Sequence, residues 1–188
     1  MKALTKPELR AAMIARRDAL GAAERERYAR ELAGALAALG QYASARSVLA
    51  TMAIGSEVST RPFLDRARAD GKAIVLPRVS AERPRRLRLH AVPDLDRDLV
   101  AGVWDIPEPD PLRCAEVTLA DVDFAWIPAL AVDRDGYRLG YGAGYFDKLL
   151  AGHGTRPYCV AALPAAFLVE GLPHETHDVA VDRVLTTP

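Results

Sequence analysis

The sequence has only two cysteines in 188 residues, and Cys114 and Cys159 lie far apart and form no metal or redox motif. So few cysteines suit a reducing cytoplasm, although a single disulfide is compatible with them. Neither sign of charge is in excess, because 25 basic side chains balance 25 acidic ones, and nothing global favours nucleic acid or an anionic membrane as a partner. The polar N-terminus lacks the apolar segment of a signal peptide, and no stretch is apolar enough to span a bilayer. We therefore expect a cytoplasmic protein.

The chain does have enough apolar material for one domain with a substantial core. Half of its residues are apolar, and 188 residues suit a single α/β domain, so we expect one domain over residues 1–188. Helical patterns alternate with short apolar runs such as 47–53 and 73–79, which are typical of buried strands. This alternation predicts crossover connections and a mostly parallel sheet.

The first helix is marked by a capping box, Thr5-Lys6-Pro7-Glu8, with proline just inside the helix start. It is predicted to run to about Leu20. Lys6 and Arg10 are one turn apart, so both side chains leave the same face of this helix. From the spacing alone, a solvated basic face is the simplest interpretation.

Glu57 follows the first predicted strand closely. Ligands of parallel α/β sheets lie outside the carboxyl ends of the strands, so Glu57 is well placed to contact one. Taken alone, it could equally be a residue that begins a helix. Met52, five residues earlier, is typical of a core position.

The most informative stretch is a glycine loop, Arg138-Leu-Gly-Tyr-Gly-Ala-Gly-Tyr-Phe-Asp147. It follows an apolar run over 124–132 and a polar turn over 133–136, and apolar residues at helical spacing come after it. The predicted order is therefore strand, loop, helix. Alternate glycines allow positive φ and close approach to a ligand, and free N–H groups at such a loop can hold an anion. Phosphate is the first candidate, with a ligand-free turn as the alternative.

Two common phosphate-binding motifs fit this loop less well. A Walker A loop needs Gly-Lys-Ser/Thr before its helix, whereas Gly144 is followed by Tyr145-Phe146. A dinucleotide fingerprint places its last glycine three residues after the second, whereas Gly140, Gly142 and Gly144 are evenly spaced.

As a complete string, the loop resembles the nucleotide loop of the 5-formyltetrahydrofolate cyclo-ligase family, also called methenyltetrahydrofolate synthetase. The resemblance runs from Lys6 to Leu185 and includes Lys-x-x-x-Arg in the first helix, Ile-Pro-x-Pro at 106–109 and the tail from Pro173. It implies an α/β three-layer sandwich with a mostly parallel central sheet. It also implies ATP- and Mg²⁺-dependent conversion of 5-formyltetrahydrofolate to 5,10-methenyltetrahydrofolate, with release of ADP and phosphate, through a phosphorylated formyl intermediate.

The resemblance also implies roles for individual positions. The catalytic residues would be Lys6, Arg10 and Arg138. ATP would be bound by Lys6, Arg10, Arg138, Leu139, Gly140, Tyr141, Gly142, Ala143, Gly144, Tyr145 and Phe146. The folate would contact Met52, Glu57, Trp104, Tyr141 and Tyr145, with Trp104 as a wall for a flat ring. Asp147 and Asp182 would be the two carboxylates of a magnesium site, in keeping with the preference of Mg²⁺ for a few carboxylates together with phosphate oxygens.

The sequence departs from the family pattern within the loop. Tyr141 replaces an arginine seen in some relatives, Ala143 a glycine or lysine, and Phe146 the second tyrosine of Gly-Tyr-Tyr-Asp. Without a lysine at Ala143, Arg138 and magnesium must neutralise more of the phosphate charge. The expected partners are 5-formyltetrahydrofolate and ATP. The sequence does not decide the oligomeric state, for which a monomer is favoured, or the preference for polyglutamylated folate.

Two other functions are compatible with parts of this pattern. A catalytically idle folate-binding protein would not need the carboxylates of Asp147 and Asp182. A different ATP-dependent kinase or ligase on a similar scaffold would not account for Glu57 and the C-terminal signature.

Overall fold

The computed structural model describes residues 5–151 and 154–188, apart from the side chain of Trp104. The α-helices are α1 (Lys6–Asp18), α2 (Ala22–Ala37), α3 (Gly40–Ser44), α4 (Arg61–Ala69) and α5 (Tyr145–Leu150). The strands are β1 (Ser47–Leu49), β2 (Ala73–Val79), β3 (Leu87–Ala91), β4 (Leu99–Ala101), β5 (Pro107–Pro109), β6 (Glu116–Val117), β7 (Phe124–Trp126), β8 (Ala131–Val132), β9 (Arg138–Leu139), β10 (Tyr158–Pro164) and β11 (Arg183–Thr187). Short 3₁₀ turns cover Val103–Asp105, Leu119–Asp121 and Ala165–Phe167.

The centre of the molecule is a seven-stranded sheet in the order β11-β10-β7-β1-β2-β3-β6. The strands from β11 to β2 are parallel, and β3 and β6 add an antiparallel edge. In the middle, Val48 of β1 is opposite Ile74 on one side and Phe124 on the other. The mostly parallel sheet predicted from the sequence is confirmed. Two small antiparallel pairs, β4-β5 and β8-β9, lie outside it.

Successive side chains of the central strands enter two separate hydrophobic cores, one on each face of the sheet. In β1, Val48 belongs to one core and Leu49 to the other. The Val48 core is covered by α2 and α4, whereas Met13 of α1 and Leu150 of α5 complete the Leu49 core. Helices on both faces of the sheet give the three-layer α/β sandwich, as expected.

Helix α1 begins where the sequence predicts. The Thr5 hydroxyl accepts a hydrogen bond from the Glu8 amide at 3.4 Å, and the Glu8 carboxylate accepts one from the Thr5 amide at 2.8 Å. This reciprocal pair satisfies N–H groups that a helix start leaves free. The helix ends at Asp18, slightly before the predicted Leu20. None of the helices in the described ranges is both long and apolar enough to cross a membrane.

Strand β1 is shorter than the predicted strand over 47–53. After Ala50, a side-chain hydroxyl, rather than a neighbouring strand, provides a hydrogen bond to the backbone. The Thr60 hydroxyl donates to the Thr51 carbonyl at 2.6 Å. From that point the chain leaves the sheet, and residues 51–57 form a loop at its carboxyl edge.

The hairpin β8-β9 leads directly into the glycine loop. Its turn is organised by the buried carboxylate of Asp133, which accepts hydrogen bonds from the amides of Asp135 at 3.1 Å and Tyr137 at 2.9 Å. Its other oxygen accepts one from the Leu172 amide at 3.0 Å, which ties the turn to the C-terminal segment. The predicted helix after the glycine loop is confirmed by α5, but the apolar run over 124–132 is not one strand: it divides into β7 and β8, and β9 stands between the polar turn and the loop.

Replacing Gly136 in this turn should destabilise the protein. Gly136 has φ +88°, and a Cβ there would lie 2.7 Å from the Val181 carbonyl oxygen. We expect Gly136→Ala to lower the free energy of unfolding by roughly 1–3 kcal/mol, measured by urea denaturation. The matched control is Gly171→Ala, where a Cβ would meet no described atom within 4 Å and φ is not left-handed. Equal stability of the two variants would contradict the prediction.

Candidate active site

A cavity of about 420 Å³ opens at the carboxyl edge of the sheet, next to the glycine loop. This volume lies within the usual range for sites that bind small molecules. The lining consists of Thr51, Met52, Ile54, Glu57, Leu76, Pro77, Val79, Leu87, Ile106, Pro107, Glu108, Pro128, Ala129, Arg138 and residues 140–147. Most of these residues are apolar, with a few charged groups among them.

The glycine loop forms one wall of this cavity, and Arg10 packs against it. Gly142 and Gly144 have φ of +105° and +62°, the left-handed region that favours glycine. Nε of Arg10 donates a hydrogen bond to the Gly140 carbonyl at 2.8 Å. A Cβ on Gly142 would lie 3.4 Å from the Arg10 guanidinium carbon. The structure therefore brings Arg10 to the loop, as the sequence predicts.

Arg138 lies beneath the loop and is almost fully buried, with its side chain 4% exposed. Its Nη2 donates to Asp147 Oδ1 at 2.8 Å, and its Nη1 donates to the Val179 carbonyl. The Val179 amide donates to the same Asp147 oxygen at 3.1 Å. Burial lowers the pKa of Arg138, and the Asp147 carboxylate opposes that shift. The pair fixes the loop, α5 and the tail to one another.

Lys6 lies one turn before Arg10 but contacts the C-terminal segment. Its ammonium is 2.8 Å from Asp178 Oδ2 and 3.7 Å from the Glu175 carboxylate. Burial raises the pKa of Asp178, but hydrogen bonds from Lys6 and from the Glu175 amide outweigh it and leave the pKa lowered. Among the described residues, Lys6 is not part of the cavity lining.

The two predicted magnesium ligands are in different surroundings. Asp147 lines the cavity, and all of its hydrogen bonds within the described ranges go to Oδ1, which leaves Oδ2 available. Asp182 accepts two hydrogen bonds from Arg156, at 3.0 and 2.6 Å, and one from the Cys159 amide at 2.7 Å. It lies just before β11, at the amino edge of the sheet, and does not belong to the described lining.

These surroundings decide how well the residues fit a magnesium ion. Over residues 5–151 and 154–188, no group of three or more His, Cys, Asp and Glu side chains is arranged to hold a metal. Mg²⁺ often binds through one or two carboxylates and takes its other ligands from substrate phosphates and water. Asp147 suits that arrangement. The metal role of Asp182 stays a prediction, and the structure does not bring its carboxylate into the described lining, because it is paired with Arg156 at the opposite edge of the sheet.

Glu57 and Tyr141 are brought together at the mouth of the cavity. One Glu57 oxygen, Oε2, accepts the Ile54 amide at 2.9 Å, and Oε1 accepts the Tyr141 hydroxyl. Arg17, which sequence reasoning missed, donates to the same hydroxyl and lies 3.5 Å from Oε1 of Glu57. Its position contains a signal, because it follows Arg10 by seven residues, or two helical turns, and shares its face of α1.

Glu108 is a third carboxylate of the cavity wall, after Glu57 and Asp147, and it was not identified from the sequence. It is 3% exposed, and its Oε1 accepts the Val79 amide at 3.3 Å. Its Oε2 lies 3.6 Å from Nη1 of Arg78 and has no hydrogen-bond partner among the described residues. Burial raises the pKa of this carboxyl. A Cβ on Gly102 would lie 2.2 Å from the Glu108 carboxyl carbon, so the carboxyl fits only against glycine.

The other predicted contacts are divided between the cavity and the core. Met52 and Tyr145 line the cavity, as do Ala143 and Phe146. Leu139 is 3% exposed and packs in the core rather than in the described lining. Trp104 belongs to a 3₁₀ turn beside β4, but its side chain is outside the described part of the chain.

Comparison with known proteins points to one family. The model of the 5-formyltetrahydrofolate cyclo-ligase family matches residues 2–187. A 5-formyltetrahydrofolate cyclo-ligase of Mycolicibacterium smegmatis is 34% identical over 99% of this chain and 95% of its own length. A mouse protein of the same name is 27% identical over 94% of this chain and 91% of its own length.

Solved structures agree as well. The NMR structure of 5,10-methenyltetrahydrofolate synthetase from Aquifex aeolicus matches with a TM-score of 0.82 at 30% identity, covering 97% of this chain and 90% of that one. A synthetase structure from Mycoplasma pneumoniae, at 19% identity and a TM-score of 0.74, covers 97% and 98% and shows the likeness of the fold. The chain therefore belongs to the 5-formyltetrahydrofolate cyclo-ligase family and is a ligase.

Proposed function

We propose that this ligase uses ATP and Mg²⁺ to convert 5-formyltetrahydrofolate to 5,10-methenyltetrahydrofolate, with release of ADP and phosphate. The observation that carries the proposal is that the glycine loop and Glu57 line the same cavity, and Tyr141 of the loop contacts Glu57 directly. A loop with left-handed glycines suits phosphates, and the largely apolar remainder suits a flat ring system.

The chemistry explains why ATP is needed. The formyl oxygen is a poor leaving group, so it first attacks the γ-phosphorus of ATP; an oxygen–phosphorus bond forms, the bond to the bridging oxygen breaks, and ADP leaves. Nitrogen 10 of the folate then attacks the formyl carbon and loses its proton, and the carbon–oxygen bond to phosphate breaks. No protein nucleophile takes part, so catalysis consists of positioning and charge neutralisation.

The cationic side chains divide this task according to their positions. Arg10 lies against the backbone of the glycine loop and can turn its fork toward phosphate oxygens. Arg138 supports the loop from below and adds positive potential to the cavity wall. Lys6 reaches ATP if a phosphate replaces Asp178 as the partner of its ammonium.

Asp147 would hold the magnesium ion through its available oxygen, with the other ligands supplied by phosphates and water. When bound, the ion would neutralise charge on the transferring phosphoryl group. Arg138 fixes the other Asp147 oxygen, so the carboxylate has one orientation toward the cavity.

We further propose that the protein acts in the cytoplasm as a monomer, with ATP and the folate as its partners. Cys114 and Cys159, both in the described part of the chain, are free and buried thiols, in keeping with a reducing compartment.

One assay tests the proposed reaction. The purified protein should convert 5-formyltetrahydrofolate in the presence of Mg-ATP, followed by the near-ultraviolet absorption band of the methenyl product. Reactions without ATP or with a chelator are the controls. Product formation that does not depend on ATP would contradict the proposal.

Asp147→Asn should raise the Mg²⁺ concentration needed for half-maximal activity, since a neutral amide oxygen is a weaker ligand for a hard dication. We expect a change of roughly 10- to 100-fold, the range for losses around protein-bound metals. Asp182→Asn is the comparison variant, because this carboxylate is bound to Arg156 away from the cavity. Melting temperatures of both variants show whether the buried partner Arg138 has been disturbed. An unchanged Mg²⁺ requirement in Asp147→Asn would remove Asp147 from the metal site.

Gly142→Val and Gly144→Val should each abolish binding of a non-hydrolysable ATP analogue. A β-branched residue resists the φ of +105° or +62° found there, and the new side chain would occupy the space of the phosphates. Gly171→Val is the control, because Gly171 is outside the described lining, its φ is not left-handed and a Cβ would meet no described atom within 4 Å. Calorimetric titration measures the affinity. Retained binding in both valine variants would refute the phosphate-binding role of the loop.

Glu57→Gln should weaken folate use selectively. A pterin presents an amino group beside a ring N–H, and a carboxylate can accept both, whereas glutamine offers one oxygen and an NH₂ group. We expect a loss of roughly 1.5–3 kcal/mol, about one to two decades in kcat/KM. Binding of the ATP analogue without folate should be nearly unchanged.

The exposed Glu116, paired with Arg88, provides the control variant Glu116→Gln. Equal losses for both ligands in Glu57→Gln would assign Glu57 to the fold. A loss for the ATP analogue alone would place it at the metal.

A further inference from the structure

We infer that Arg17 is a positioning residue that joins the glycine loop to the folate side of the cavity, so that each substrate strengthens the binding of the other. This inference rests on the proposed function, because it takes ATP to bind at the glycine loop and the folate at Glu57. It concerns a residue that is two helical turns beyond Arg10 and was not identified from the sequence.

The Arg17 guanidinium contacts three segments of the chain. Its Nε donates to the Ser56 hydroxyl at 2.8 Å, in the loop that follows β1. Its Nη1 donates to the Tyr141 hydroxyl in the glycine loop and lies 3.5 Å from the Glu57 carboxylate. The Arg17 side chain is only 15% exposed, whereas the Tyr141 side of the contact is open to water, with Tyr141 49% exposed. A planar fork with several donors can serve all of these partners at once, whereas a lysine ammonium is a single point charge.

The end of α1 fixes the orientation of this guanidinium. The Ser56 hydroxyl that accepts from Arg17 donates in turn to the Asp18 carboxylate, the neighbouring residue on the helix. Nη2 of Arg17 is 3.8 Å from the same carboxylate. The guanidinium is therefore held from its own helix and from the loop after β1, and it presents Nη1 to Tyr141.

Tyr141 is the link to the nucleotide side. It stands between Gly140 and Gly142, the two positions where the loop contacts Arg10, and its ring is half exposed. Its hydroxyl accepts from Arg17 and donates to Glu57. Burial, and then the hydrogen bond to Glu57, raise the pKa of Tyr141 to about 12, so the hydroxyl keeps the proton that it donates.

These contacts make the loop and Glu57 depend on each other. A nucleotide that orders the glycine loop also fixes Tyr141 and, through the shared hydroxyl and guanidinium, the orientation of Glu57. A folate that orders Glu57 likewise fixes its contacts with Tyr141 and Arg17, and through Tyr141 the glycine loop. The second ligand then binds to groups that the first has already ordered, and thermodynamic linkage requires the effect to be equal in both directions.

The test is calorimetric titration of a non-hydrolysable ATP analogue and of 5-formyltetrahydrofolate, each alone and each in the presence of the other. In the wild type, we expect each ligand to tighten the other by about fivefold or more, the lower end of usual coupling between sites. In Arg17→Met this factor should fall to about one, while the affinity for the analogue alone changes much less. Tyr141→Phe should lose the same coupling, and the double variant should lose no more than either single one.

Arg16→Met is the matched control, since Arg16 is the exposed neighbour on α1 and donates to the Ala166 carbonyl. It should keep the wild-type coupling. Arg17→Lys provides a charged second variant should Arg17→Met fold poorly, and it should recover only part of the coupling because it lacks the fork.

Wild-type protein without coupling, or Arg17→Met with the wild-type factor, overturns the inference. A variant that lowers the melting temperature but keeps the coupling assigns Arg17 to stability and likewise overturns it. If the wild type binds neither ligand, the proposed function fails and this inference fails with it. If the wild type binds both ligands but Arg17→Met keeps the wild-type coupling, the inference fails while the proposed function stands.

Discussion

The ion pair of the buried Arg138 with the half-buried Asp147 is the interaction on which the candidate site depends. It joins β9, which precedes the glycine loop, to α5, which follows it, and both partners also bind the backbone of Val179. Removing one partner of a buried ion pair costs about 3–5 kcal/mol, because the other charge is left without compensation. The loop therefore has a fixed base although its own glycines are free to turn. The same pair leaves one Asp147 oxygen for the cavity, so the support of the loop also decides which carboxylate oxygen stays available there.

The charged side chains of the site are positioned by local hydrogen bonds and ion pairs, and the protein has no overall excess of one charge. With a net charge of zero, the chain has no general attraction for anions, and the proposed phosphate recognition would depend on cations at defined points. Arg10 is held by a carbonyl of the loop, and Lys6 by Asp178. Glu108 differs from them, since one of its oxygens is buried without a hydrogen bond among the described residues, a state that proteins seldom keep without a reason.

Much of the fold could be predicted from the sequence because its signals are local. The capping box at Thr5, the periodicity that gives β2 its bounds, and the helix after the glycine loop depend on residues close together in the chain. The early end of β1 could not be predicted, since it depends on a hydroxyl at Thr60. The same distinction between local signals and long-range contacts applies to the site. Glycine positions could be read from the sequence, whereas the pairing of Asp182 with Arg156 and the convergence of Arg17 on Tyr141 require the folded chain.

The contact between Arg138 and Val179 has a consequence for synthesis of the chain. These residues are 41 positions apart, and the glycine loop leaves the ribosome before the segment that clamps it. The parallel pairing of β10 with β11 and the contact between Gly136 and Val181 also wait for that late segment. In the nascent chain, the glycine loop is therefore present for some time before the segment around Val179 that holds it in place. The glycine loop acquires its buried base only when the last residues of the chain have been made.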